Sequence, residues 1–209
     1  MYRRVDGDQC INGFPGWSYF ASAVHGVVVL PTLFGLSAGS VGLDQPFDFG
    51  AFLRGPATEG PGFLLQQAHC CIIGYMLKDY TSLYPEGLQP GYVIHHLATI
   101  SGCALCLLMP MGLGLTTFNA VQCELGSALY SLRLALPSNL TKTVYYVSMT
   151  ASNILGVYLA WTLFSYPIPA FWRVIYAVLA VLIVALRTTA LILDVQAELK
   201  AEQTKQKDR

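Results

Sequence analysis

The sequence predicts an all-α, polytopic membrane protein, a bundle of about six transmembrane helices. Two observations carry that expectation. Only 11% of the 209 residues are charged and 54% are hydrophobic, whereas soluble domains carry about 25% charged residues. So little charge cannot cover a water-facing surface. In addition, apolar runs recur at 17–39, 63–83, 92–112, 115–136, 144–166 and 170–193, each near the ~20 residues a helix needs to cross the hydrocarbon core.

In order, residues 1–16 are short and polar, with Arg3 and Arg4, and read as a cytosolic N-terminus. The first apolar run is longer than the roughly 7–15 residues of a signal-peptide core, so it reads as a retained helix, with a cleaved segment as the alternative. It contains His25. Residues 40–62 mix Asp44, Pro46, Asp48, Arg54, Pro56 and Glu59, a composition that reads as a loop. The later separators are turn-like: Tyr84-Pro85-Glu86-Gly87, the glycines around Met111, Pro137-Ser138-Asn139 and Pro167-Ile168-Pro169. The third and fourth runs are joined so tightly that they form a hairpin. From Asp194 the chain turns polar and reads as a frayed helix entering water. The domain layout is therefore one transmembrane domain over 17–195 with a cytosolic tail at 196–209.

Twelve basic residues balance twelve acidic ones, so no basic patch calls for nucleic acid. Five of the six cysteines fall in apolar runs, where cysteine behaves as a small hydrophobe. Cys103-x-x-Cys106 lies within a membrane helix and is not read as a redox pair. Four histidines without H-x-x-H spacing leave too few ligands for a di-iron centre, and no metal is expected.

An even number of spans puts both termini on one side. Arg3, Arg4, Lys78, Arg133, Lys142 and the basic tail share that side, against Arg54 and Arg173 on the other. The positive-inside rule then places the termini in the cytosol. The sequon Asn139-Leu140-Thr141 falls in a cytosolic loop and should stay bare. The chain ends Lys205-Gln206-Lys207-Asp208-Arg209. This resembles a dilysine retrieval signal and implies an endoplasmic reticulum membrane, with coat machinery as a partner of the tail. A plasma-membrane location is the alternative, and an ordinary solvated basic tail is the plainer reading of the same residues.

Ionisable groups inside hydrocarbon are costly, roughly 2.5–3.5 kcal/mol at a helix centre on insertion scales, so their positions locate a site. At ~1.5 Å per residue, His95 and His96 lie about one turn into the membrane, with Asp79 at a similar level. His25 is about 12 Å in and Glu124 about 18 Å, near the midplane. Helical spacing puts Thr99, Gly102, Cys103 and Cys106 on the side of the two histidines, with bulky aliphatics opposite. Glu124, Ala128 and Ser131 align on the fourth helix with Ser127 beside them, while Arg133 turns away and reads as a snorkelling end residue. His69 reads as structural, Ser148, Ser152 and Gly156 as a packing face, and Asn153 as an interhelical hydrogen bonder. The expected catalytic set is His95, His96 and Asp79. The expected cavity-lining set is Glu124, Ser127, His25 and Thr99.

Several of these residues sit in a recognisable pattern: Trp17 with His25, Gly74-Tyr75-Met76-Leu77-Lys78-Asp79, His95-His96, then Glu124-Leu125-Gly126-Ser127 and Leu132-Arg133. Over roughly 17–195 the chain resembles the TLC-domain membrane proteins, which include ceramide synthases and shorter six-helix relatives. It is more similar to the shorter relatives. In the synthases the histidine pair opens a longer motif with further aspartates, and this chain has none between Asp79 and Asp194.

The resemblance implies a protein of lipid homeostasis that binds or senses a lipid or acyl chain in an intramembrane cavity, with membrane lipids as its partners and no cofactor. The alternative it implies is a lipid acyltransferase with acyl-CoA as co-substrate. There the histidine pair would deprotonate a hydroxyl or amine acceptor, or accept the acyl group, with an acidic neighbour orienting the ring. A proton-coupled transporter is a third reading, from an intramembrane glutamate beside histidines. It is weakened by the absence of inverted repeats or broken-helix signals.

Overall fold

Proline, glycine and capping residues set where the helices of this chain bend, begin and end. A computed structural model describes residues 10–11, 14–41, 48–55, 62–81 and 90–207. Strands β1 (Cys10–Ile11) and β2 (Phe14–Pro15) pair antiparallel, Cys10 opposite Pro15. The first rod follows: α1 (Gly16–Val24), a π-helical turn (His25–Val29) and α2 (Leu30–Val41). Proline crowds the carbonyl four residues before it and lacks an N–H, so the ladder widens ahead of Pro31. There the Leu30 N–H donates to the His25 carbonyl, five residues back.

The segment that reads as a loop contains a short helix, α3 (Phe49–Arg54). Asp48 caps it, accepting from the Ala51 N–H at 3.0 Å, and Phe52 is buried against Phe34, the rings 5.6 Å apart. Composition missed this helix because a cap and one buried aromatic outweigh the surrounding prolines. Helices α4 (Gly62–Thr81), α5 (Pro90–Leu108) and α6 (Leu113–Ala135) come next.

The α5–α6 hairpin turns around Pro110, and Gly112 adopts φ +87°, a conformation that favours glycine. The Gly112 N–H donates to the Arg54 and Gly55 carbonyls, both at 3.2 Å. Gly114 lets α6 touch the α3 backbone: a Cβ there would stand 2.5 Å from the Phe52 oxygen. Helix α3 is thereby stitched to this end of the bundle.

Helix α7 (Asn139–Thr162) begins five residues before its apolar run because of a capping box. The Thr141 N–H donates to Ser138 Oγ and the Ser138 N–H to Thr141 Oγ1, each at 3.1 Å. A 3₁₀ turn (Leu163–Ser165) closes it. Helix α8 (Ala170–Lys207) then runs unbroken for 38 residues, ~57 Å at the helical rise. The polar tail is thus helical as far as Lys207 rather than frayed. The side chains of Lys205 and Lys207, and all of Asp208 and Arg209, lie outside the described residues.

The continued α8 also corrects the reading of Arg133. Asp194 and Glu198 fall one turn apart, and Arg133 at the end of α6 pairs with both, with Nη2 2.6 Å from Glu198 Oε1. Lys142 on α7 pairs with Glu198, and the Tyr146 hydroxyl donates to Asp194 at 3.3 Å. A charged collar therefore ties α6, α7 and α8 together at one end.

The core lies around α6, which packs most extensively on α7 and next on α1. Four helical segments are long and apolar enough to cross a membrane among the described residues: Gly16–Ser40, Pro90–Leu108, Asn139–Ser165 and Ala170–Thr204. Helix α4 dilutes its hydropathy with Gln66, Gln67, His69, Lys78 and Asp79, and α6 with Asn119, Gln122, Glu124 and Arg133. On α6 much of this polarity is answered internally. Gln122 Nε2 donates to Asn119 Oδ1 at 2.9 Å, and Asn119 Nδ2 donates to the Tyr176 hydroxyl at 2.7 Å. Tyr176→Phe removes that acceptor, and thermal unfolding in detergent should show a loss of about 1 kcal/mol.

Candidate functional site

A cavity of ≈ 540 Å³ lies among α1, α4, α5, α6, α7 and α8. Asp79, Tyr92, His95, His96 and Asp194 line it near the helix ends. Met76, Ala128, Met149, Leu186 and Leu193 supply apolar wall, and Glu124, Ser127 and Arg187 lie away from those helix ends. Measured down the helices, Arg187 is about 10 Å below Asp194, and Glu124 about 17 Å below the end of α6.

The structure brings the predicted catalytic set together at the shallow end. Pro90 occupies the first position of α5, where its missing N–H is harmless, so the histidines fall on the second turn. Asp79 is on the last turn of α4 beside them. His96 is buried, and its Nε2 is 3.6 Å from Asp79 Oδ2, while Lys78 Nζ holds Oδ1 of the same carboxylate at 2.8 Å. The Tyr80 and Tyr92 rings meet the His96 ring edge-on, at 5.8 and 6.4 Å between centroids. Among the described residues His96 Nδ1 is buried without a hydrogen-bond partner. The His95 ring is 5.8 Å from that of His96 and also lines the cavity. The geometry is that of an imidazole oriented by a carboxylate at one nitrogen, with its other nitrogen enclosed by protein.

At the deep end two opposite charges share the cavity but differ in how they are held. Glu124 is 7% exposed, and among the described residues no ion pair or hydrogen bond engages its carboxyl. Arg187 is buried, and four of its five N–H groups are engaged among the described residues. Its Nε donates to Asn153 Oδ1 at 2.8 Å, Nη1 to Ser127 Oγ at 2.9 Å, and Nη2 to Ser152 Oγ at 2.6 Å. Nη1 also donates to the Cys123 carbonyl. Gly126 makes room for this fork, since a Cβ there would meet Arg187 Nη2 at 2.5 Å and Ser152 Oγ at 2.6 Å. Asn153 is itself fixed by donating to Thr188 Oγ1 at 3.0 Å.

Sequence reasoning missed Arg187. It sits inside the most apolar run, where averaging over a window hides a single charge. The available signal was the arginine itself, since a lone cation deep in an apolar run needs an internal partner.

The remaining predicted cavity residues are placed differently. Ser127 joins the cavity through Arg187, whereas His25 and Thr99 are not on its wall. The His25 ring stacks on Tyr75 at 4.5 Å, and Tyr75, which does line the cavity, shares a hydrogen bond with the Ser22 hydroxyl. Thr99 lines a smaller cavity of ≈ 60 Å³ with His69, Cys103 and Asn119. Glu124 borders both spaces. Its place is set by the π-helical turn: a Cβ on Gly26 would stand 2.5 Å from Ala128 Cβ and 2.9 Å from the Glu124 carbonyl. His69 Nε2 is 3.0 Å from Thr117 Oγ1, which itself donates to the Leu113 carbonyl at 2.7 Å. Among the described residues no three His, Cys, Asp or Glu side chains are grouped to hold a metal ion.

Compared with protein-family models, with curated proteins and with solved structures, the chain finds no match.

Proposed function

We propose that this chain is an integral membrane protein of lipid homeostasis that binds or senses a lipid in the larger cavity. The cavity is the observation that carries the reading. Its ≈ 540 Å³ falls within the roughly 300–1,000 Å³ of small-molecule sites, with polar groups at its mouth and apolar side chains on its wall. In this reading α4 and α6 also cross the membrane, joining the four apolar segments as a six-span bundle. Their polar residues are tolerated because they face protein or cavity rather than lipid. The histidine mouth and the charged collar then share one interface, which the distribution of Lys and Arg assigns to the cytosol. Membership of the TLC-domain family and residence in the endoplasmic reticulum belong to the same proposal, on the motif residues and the Lys205/Lys207 tail.

The test is lipidomics of cells expressing the wild type against a His95→Ala/His96→Ala variant at matched protein level. Wild-type expression is expected to shift the membrane lipid profile, and the double variant to leave it near that of empty-vector cells. Identical profiles for wild type and empty vector would count against the proposal.

The 3.6 Å approach of His96 to Asp79 favours one second reading, transfer of an acyl group from acyl-CoA to a lipid acceptor. Purified protein supplied with acyl-CoA and a panel of acceptors should then turn over, with activity lost in His96→Ala. Turnover that survives that substitution would remove the mechanism.

A further inference from the structure

The deep end of the cavity is built for a polar group, not for the end of a hydrocarbon tail. Glu124 and Arg187 both line it, yet Arg187 is engaged by Asn153, Ser127, Ser152 and the Cys123 carbonyl, all uncharged acceptors. Glu124, 7% exposed, has a carboxyl that makes no hydrogen bond among the described residues, although the Arg187 charge acts on it from the same cavity. A carboxyl accepts an O–H bond in either protonation state. A buried polar group left unmatched by its occupant is penalised heavily. An ordinary acyl chain entering tail-first would set its terminal methyl against Glu124 and seal that carboxyl from water.

Resting on the lipid-binding reading above, we infer that the cavity selects an amphiphile carrying a second polar group, a hydroxyl or similar donor, at the far end of its chain. One end sits among Asp79, His96 and Asp194, the apolar middle lies along Met76, Met149 and Leu193, and the far donor reaches Glu124. The mouth contains two carboxylates, so the outer group is best uncharged or a donor as well. Arg187, with four of its five N–H groups already taken by the protein, serves mainly as a fixed positive wall. The specificity of the site then resides in Glu124.

The measurement is equilibrium binding, by native mass spectrometry of the full chain in detergent, of a long-chain primary alcohol and of the α,ω-diol of the same carbon number. Both are supplied at equal mole fraction in the micelle. The wild type is expected to bind the diol at least about tenfold more tightly, because a site built to bond a hydroxyl discriminates strongly against its absence. Glu124→Leu should abolish or reverse that preference while still binding the alcohol. Equal or tighter binding of the alcohol by the wild type overturns the inference, as does a diol preference unchanged in Glu124→Leu. The wild-type comparison decides the matter alone if the variant does not fold. Alcohol binding without diol preference leaves the lipid-binding reading intact, whereas failure of both to bind removes that reading and the inference with it.

Discussion

Arg187→Leu is expected to destabilise the folded protein by about 2–4 kcal/mol, from several interhelical hydrogen bonds that average about 0.6 kcal/mol and reach about 1.7 within membranes. Bonds to a charged donor lie toward the upper end. The substitution removes the donor shared by Asn153 Oδ1, Ser127 Oγ, Ser152 Oγ and the Cys123 carbonyl, groups from α6 and α7, leaving the two hydroxyls only their bonds to the Cys123 and Met149 carbonyls. It also leaves a void beside Gly126, whose missing Cβ exists to admit the guanidinium. Leucine makes α8 more apolar, so insertion should not suffer. The damage falls on packing between helices, a distinction that protease protection in membranes and unfolding in detergent resolve. Arg187→Lys keeps the charge but not the planar fork, and should lie between the two. A leucine variant as stable as the wild type would mean that the network is replaceable by apolar packing, as buried charge networks sometimes are.

Gly26→Val should lower stability by about 1–3 kcal/mol, the usual range for overpacking, and open the contact between the π-helical turn and α6. The first added carbon would already stand 2.5 Å from Ala128 Cβ and 2.9 Å from the Glu124 carbonyl. The second neighbour is backbone, which cannot rotate away. Ala128→Gly removes only the first clash, so the double variant should recover part of the loss, and the non-additivity of the cycle measures the contact. Gly35→Ala, with nothing within 4 Å of the added carbon, is the control, expected to stay within about 0.5 kcal/mol of the wild type. Thermal unfolding of the set in one detergent checks all four.

These two residues show what the sequence could and could not disclose. Helical spacing is a local property, so His96 and Asp79 were foreseeable at one level and Glu124 farther down the bundle. Helix neighbours are not local. The pairing of Arg133 with Asp194 and Glu198 depends on α8 continuing as a helix beside the end of α6, and a hydropathy drop at Asp194 reads as the end of a span. Arg187 was hidden for the related reason that a window average treats one charge as noise. Helix α3 was hidden because its stability comes from Phe52 packing against Phe34 and from Gly112 and Gly114 far along the chain. Conversely, Asn153 as an interhelical hydrogen bonder was legible from its place on the Ser152–Gly156 face, and its partners Arg187 and Thr188 lie on α8.

The most direct measurement on the cavity is native mass spectrometry of the protein extracted from its membrane, wild type beside Ser131→Phe. Ser131 is buried on the cavity wall, and a phenylalanine there fills part of the space. The wild type is expected to carry a co-purified lipid in one-to-one ratio, and the folded Ser131→Phe variant to have lost most of it. A wild type that emerges bare, or a variant that retains the same lipid equally, would contradict a lipid-holding cavity.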